Sequence, residues 1–227
     1  MPSPYPVEPD RLRALVHRAL RLLATPGVAD SRRRAVLGIC GAPGAGKTTL
    51  AEQLVEAMRH EEPAGLGPDG VAHLPMDGFH LADVQLVRRG LMDRKGAPET
   101  FDGEGYLAAV ERILADDGRT VFVPGFERDL EQPVAAAVAV EPSARLVVTE
   151  GNYLLLDEEP WLRIRQRMTE VWFVDLSDAE RHRRLMARHT QFGKPPEAAH
   201  AWTMGPDQAN AELVMASRSR ADLVIDG

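Results

Sequence analysis

The stretch Gly41-Ala42-Pro43-Gly44-Ala45-Gly46-Lys47-Thr48 has the spacing G-x-x-x-x-G-K-T and directly follows the apolar run Ala35-Val36-Leu37-Gly38-Ile39-Cys40. Few short patterns constrain a fold as tightly. Glycines at these places let backbone N–H groups turn inward around phosphate oxygens, which demands a strand before the loop and a helix after it whose positive end faces the anion. Leu50, Leu54, Val55 and Met58 give the following segment its helical apolar stripe. The spacing predicts a nucleotide site built from Gly41, Ala42, Pro43, Gly44, Ala45, Gly46, Lys47, Thr48 and Thr49. In it Lys47 reaches the β- and γ-phosphates and the Thr48 hydroxyl ligates Mg²⁺.

Composition narrows the partners. The 227 residues suffice for one domain with a lid, and 44% hydrophobic against 27% charged content is ordinary for a soluble enzyme. A net charge of -7 argues against a nucleic-acid partner, because such domains carry a basic stripe, so an anionic substrate must be met by local cations. Cys40 is the one cysteine, which excludes an internal disulfide and a cysteine-cluster metal site and suggests a small buried residue. No apolar run has transmembrane length and no signal peptide is visible, so a cytoplasmic protein without membrane insertion is expected. A homodimer is left open.

Before the loop, Leu12, Leu15, Val16, Ala19, Leu22 and Leu23 repeat at helical spacing, with Asp10 as N-cap and Thr25-Pro26-Gly27 as stop. After it, strand-like runs at 71–76, 120–124, 145–149, 171–175 and 222–225 alternate with helical patterns near 105–116, 178–189 and 207–218. This alternation predicts an α/β fold with a mostly parallel sheet covered on both faces. The alanines of the apolar stretch from Val134 to Val140 leave helix and strand unresolved, and Pro/Gly-rich stretches at 61–70, 90–98 and 193–206 read as loops.

Ligands of open α/β sheets sit beyond the carboxyl ends of the strands, which singles out three polar residues. Asp77 follows the run ending at Met76 and could accept a proton from a substrate hydroxyl, or merely form an Asp-Gly turn with Gly78. Glu150 ends Leu146-Val147-Val148-Thr149, the layout of a carboxylate that holds Mg²⁺ through water, or a solvated strand end. Arg128 follows Val121-Phe122-Val123-Pro124 and would reach the same rim, unless it is a surface ion pair. Arg181, Arg184 and Arg188 share one helical face and could close over a triphosphate, or form a solvated basic face. Only Lys47, Lys95 and Lys194 occur as lysines, all in candidate ligand loops.

Together with Asp77-Gly78-Phe79, Arg94 through Asp102, Pro124 through Arg128, Glu150-Gly151-Asn152-Tyr153 and the Arg-rich segment, the loop resembles, in the same order, the P-loop kinases related to uridine kinase, phosphoribulokinase and bacterial pantothenate kinase. The resemblance covers about residues 35–226 and is closest to the bacterial subgroup labelled nucleoside/nucleotide or fructose transport-system kinases. It implies a three-layer P-loop NTPase fold in a single domain over 1–227, with 1–34 as an N-terminal helix extension and about 178–204 as the Arg-rich helix and lid. The implied activity is ATP-dependent phosphorylation of a small-molecule hydroxyl, with Asp77 as base, Lys47 on the phosphates, Thr48 and Glu150 at Mg²⁺, and Arg184 or Arg188 stabilising the moving phosphoryl group. The acceptor site is expected to draw on Asp77, Phe79, His80, Lys95, Asp102, Arg128 and Tyr153. Pro124-Gly125-Phe126-Glu127-Arg128 replaces the histidine-bearing stretch of uridine kinases, which turns expectation from uridine toward an acceptor bearing phosphate or carboxylate.

Two other functions compete. A GTPase switch needs an Asn-Lys-x-Asp motif, yet Asn152 and Asn210 are followed by Tyr and Ala. A catalytically weak ATP-binding accessory or sensor protein linked to sugar transport would lack the carboxylates, whereas Asp77 and Glu150 are present.

Overall fold

The computed structural model describes residues 7–26, 28–29, 34–60, 66–67 and 69–227. Its elements are α1 (Pro9–Arg21), β1 (Ala35–Gly41), α2 (Lys47–His60), β2 (Val71–Pro75), α3 (Asp83–Arg89), α4 (Gly103–Ala115), β3 (Val121–Glu127) and β4 (Gln132–Val140). There follow β5 (Leu146–Gly151), α5 (Trp161–Arg165), β6 (Glu170–Asp175), α6 (Asp178–Gln191), α7 (Pro196–Trp202), α8 (Gln208–Met215) and β7 (Leu223–Asp226).

Strand β1 is buried along its whole length because it is the middle strand of a five-stranded sheet, ordered β2-β5-β1-β6-β7 and parallel throughout. Its alternate residues serve opposite faces. Leu37 and Ile39 pack with Leu15, Val16 and Ala19 of α1 and Leu50 and Leu54 of α2, while Val36 and Cys40 join Tyr106 and Val110 of α4 and Ile164 of α5. The result is three layers, helices on sheet on helices. Helix α1 is thus part of the main core and is further tied down by Arg18, whose Nε lies 2.9 Å from Glu170. No helix among the described residues is long and apolar enough to cross a membrane.

Several expectations are corrected. The run near 120–124 does not enter the parallel sheet. It becomes β3, paired antiparallel with β4 in a separate ribbon, and so resolves Val134 to Val140 as strand. Val121 and Val123 point inward while Phe122 is 57% exposed, the one-sided burial of an antiparallel pair. Register shifts between Val123 and Gly125, where Pro124 has no N–H to give to the ladder. Helices α3 and α7 occupy stretches read without them, and Thr203–Asp207 is a π-helical turn joining α7 to a shortened α8. Glu8, not Asp10, is the N-cap of α1, and Asp10 sits in its first turn. Gly27, residues 61–65 and residue 68 lie outside the described residues.

Register brings the site together. Glu150 of β5 stands opposite Ile39 of β1 on one side and Pro75 of β2 on the other. The carboxyl ends of three adjacent strands therefore carry the P-loop, Glu150 and the turn holding Asp77, at the place where the strand order reverses direction.

Candidate active site

The loop after β1 is closed by a hydrogen bond from Ala45 N–H to Ala42 O and leads straight into α2 at Lys47. Gly44 has φ +80, and a Cβ there would come within 2.9 Å of Leu185 on α6. Only glycine both adopts this turn and lets α6 rest on the loop. Lys47 is 8% exposed, and its Nζ donates to Ala42 O at 3.1 Å. Burial holds its pKa below the ordinary lysine value, against the opposing pull of Glu150 and Asp77.

Asp77 lies in the 3₁₀ turn Met76–Phe79 after β2. Gly78 is required here by close approach, since a Cβ would stand 2.2 Å from Pro124 O on the ribbon. That approach also brings Arg128 to Asp77, with Nη2 3.2 Å from Oδ2. His80 stands 3.8 Å from the other carboxylate oxygen, beyond hydrogen-bonding distance, and stacks on Phe101 with centroids 3.9 Å apart. Burial pushes the Asp77 pKa up, but His80, Arg128, Lys47 and Arg188 together outweigh it and hold the carboxyl below its ordinary value. Burial lowers the pKa of His80 in turn, against the opposing pull of Asp77.

Glu150 is 2% exposed at the end of β5, beside the Thr48 hydroxyl. Burial, aided by the charge of Asp77 and opposed by Lys47, pushes its pKa up to about 7. A buried carboxylate short of countercharge beside a hydroxyl oxygen is a hard donor set that fits Mg²⁺. Among the described residues no group of three or more His, Cys, Asp or Glu could hold a metal by itself, so such an ion would need further ligands from outside the protein.

All of these groups open on one cleft with a cavity of about 180 Å³, lined by Pro43, Gly44, Lys47 and Thr48 of the loop, by Asp77, His80, Lys95 and Arg128, and by Glu150. Arg188 and Lys194 face it from α6 and the loop beyond.

The shared face of the three α6 arginines divides into different roles. Arg181 is 1% exposed and bolts α6 to its surroundings, giving hydrogen bonds to Pro43 O at 3.1 Å, Asp178 Oδ1 at 2.7 Å and Gln208 Oε1 at 3.0 Å. It is not available to a phosphate. Arg184 donates to Glu180 at 2.8 Å, and its Nη1 lies 3.2 Å from where a Gly46 Cβ would be, directly over the loop. Arg188 lines the cleft itself.

Three residues expected around the acceptor lie elsewhere. Tyr153 is fully buried, donates its hydroxyl to Gly96 O and packs on Phe101 and Trp161, so it positions the 96 loop from behind. Phe79 is 7% exposed and turned toward Tyr106 at 5.0 Å. Asp102 is the N-cap of α4, accepting from Gly105 N at 2.9 Å. Lys95 does line the cleft, with its ammonium 2.8 Å from both Asp83 Oδ1 and Glu131 O. The cleft also includes His189, Trp202, Asp207 and Asn210, which sequence reasoning passed over. Pro206 beside Trp202 signals an interrupted helix rather than a plain loop.

No protein-family profile matches the chain. Among known proteins, the ATP-dependent kinase-like protein notR′ of Aspergillus versicolor is 35% identical over 161 residues, covering 67% of this chain and 94% of the relative. The uncharacterised protein YggC of Escherichia coli is 32% identical over 212 residues, covering 93% of this chain and 86% of the relative. Among solved structures, a provisionally named fructose transport system kinase from a Silicibacter species is 34% identical and superposes with a TM-score of 0.82, over 94% of this chain and 98% of that one.

Proposed function

This chain belongs to the uridine kinase-like family of P-loop kinases, and from that premise we propose that it transfers the γ-phosphoryl group of ATP to a hydroxyl of a small metabolite. The observation that carries this reading is the convergence of the phosphate loop with Lys47 and of Asp77 on one cleft.

Phosphoryl transfer asks the protein for positioning and charge neutralisation more than for covalent chemistry. The backbone N–H groups of the loop and Lys47 hold the phosphates. Thr48 and Glu150 would hold Mg²⁺, which would supply neutralisation of phosphate charge. The acceptor hydroxyl oxygen bonds to the γ-phosphorus as the bond from that phosphorus to the β–γ bridging oxygen breaks, leaving ADP. Its proton passes to the Asp77 carboxylate, which Arg128 keeps ionised in the resting site. Arg188 compensates charge on the moving group, and the α6–α8 segment restricts water as a competing acceptor. The work is done inside the cell, in the cytoplasm.

The test is acceptor-dependent ADP formation across a panel of sugars, nucleosides and pantothenate-like acids, with Lys47→Ala as control. A kinase forms ADP and an equal amount of phosphorylated acceptor, and Lys47→Ala loses roughly 10²-fold or more of that rate. ATP binding with no transfer to any hydroxyl points instead to a sensor or accessory protein.

A further inference from the structure

Five cations (Lys47, Lys95, Arg128, Arg188, Lys194) and four carboxylates (Asp77, Glu131, Glu150, Asp207) line the cleft, an excess of positive charge in a chain whose net charge is -7. Most of these groups already have partners. Arg128 is on Asp77 at 3.2 Å, Lys95 on Asp83 at 2.8 Å, and Asp207 on His189 at 2.7 Å. Among the described residues, Arg188 and Lys194 alone of the five cations have neither a carboxylate nor a carbonyl partner. Arg188 is close enough to Lys47 and Asp77 for its charge to act on both, which places it with the transferred phosphoryl group.

Lys194 is left over. Its Nζ rests over the Trp202 ring, 5.2 Å from the centroid, a weaker hold than a charge-assisted hydrogen bond and one an arriving anion displaces. Asn210, which is 7% exposed, lines the same cleft. Among the described residues nothing hydrogen-bonds to its carboxamide. Its Nδ2 lies over Gly96, 3.7 Å from where a Cβ would be, an ordinary contact distance. An unpartnered carboxamide at the wall of a cleft can donate to a ligand's oxygen as it does to water.

We propose that the acceptor is a small anionic alcohol whose carboxylate or phosphate is bound by the Lys194 ammonium and the Asn210 amide, leaving its hydroxyl to Asp77. The proposal rests on the kinase reading and deepens it by naming the substrate class. It also moves the anion contact away from Arg128, which the ion pair with Asp77 already engages.

Calorimetric titration tests this on the full chain, saturated with a non-hydrolysable ATP analogue and Mg²⁺. The probes are glycerol 3-phosphate, glycerate and glycerol, which share a carbon skeleton and differ in charge. At least one of the two anions should bind 10-fold or more tighter than glycerol, and which one does so separates phosphate from carboxylate. Lys194→Met and Asn210→Ala should each remove most of that preference, and Lys194→Arg should keep it, which distinguishes a lost contact from a lost fold. Equal binding of charged and uncharged probes, or an undiminished preference in Lys194→Met, overturns the proposal and leaves the kinase reading standing. Failure of the ATP analogue to bind overturns both.

Discussion

The Arg128 guanidinium stands 3.2 Å from the Asp77 carboxylate, in the same cleft as Lys47. The pair joins two elements that share no sheet, the turn after β2 and the end of the β3–β4 ribbon. It also sets the charge state of Asp77. Burial alone would raise that carboxyl, and the surrounding cations more than cancel the rise.

Arg128→Ala should therefore shift the acid limb of the pH–kcat profile to higher pH. With one cation gone, the Asp77 pKa rises, and a higher pH is needed to keep it ready to accept a proton. An unmoved acid limb means that Arg128 does not act on the group whose ionisation limits the rate.

Glu150→Gln keeps the shape of the buried side chain at the end of β5 but removes its charge. The Mg²⁺ concentration needed for half-maximal activity should rise, while metal-free ATP affinity changes little. Equal metal dependence in variant and parent counts against Glu150 at the ion.

Arg188 lines the cleft, whereas Arg181 is spent on Pro43, Asp178 and Gln208. Arg188→Ala should lower kcat by up to roughly 10³-fold. Arg181→Ala should act mainly on stability, read as a lower melting temperature, because it leaves the Pro43 carbonyl without its buried donor. A change confined to acceptor KM in Arg188→Ala would place that arginine on the acceptor.

The segment from β1 through α2 was legible because one motif fixes strand, loop and helix together. Strand-end logic picked out Asp77, Glu150 and Arg128, and all three line the cleft. What failed did so for physical reasons. Val121-Phe122-Val123 is as apolar as the parallel strands, and an apolar run does not say which strand it will pair with. The i, i+3, i+7 spacing of Arg181, Arg184 and Arg188 defines a face but not what lies over it, and Pro43 and Gln208 lie over Arg181. Aromatic residues near a motif look alike in sequence whether they line the cleft, as Phe101 and Phe126 do, or lie in the core away from it, as Phe79 and Tyr153 do. Trp202 was hidden because a π-helical turn containing Pro206 follows it and 193–206 reads as a loop, and the helical pattern near 207–218 does not say that Asp207 and Asn210 face the cleft.

His73, on β2, has its pKa pushed down to about 4 by burial and by Arg59, and its Nε2 has no partner among the described residues. Its folded pKa lies below the unfolded value of about 6.5. Between those values the unfolded chain takes up a proton that the folded chain refuses, so stability falls as pH drops through this window, by up to about 3 kcal/mol, and levels off below it. In urea unfolding at a series of pH values, His73→Gln should show a shallower loss over that range than the parent. An identical slope would show that His73 does not titrate on unfolding.

The central claim, a kinase in which Asp77 takes the acceptor's proton, is tested most directly by Asp77→Asn, through kcat with a turned-over acceptor and Kd for ATP measured on the same preparation. Asparagine keeps the size and the turn but cannot accept the proton. The account predicts a kcat lower by roughly 10²–10⁴-fold with ATP affinity almost unchanged. A near-parental kcat would contradict it and leave Asp77 as a structural residue of the Met76–Phe79 turn.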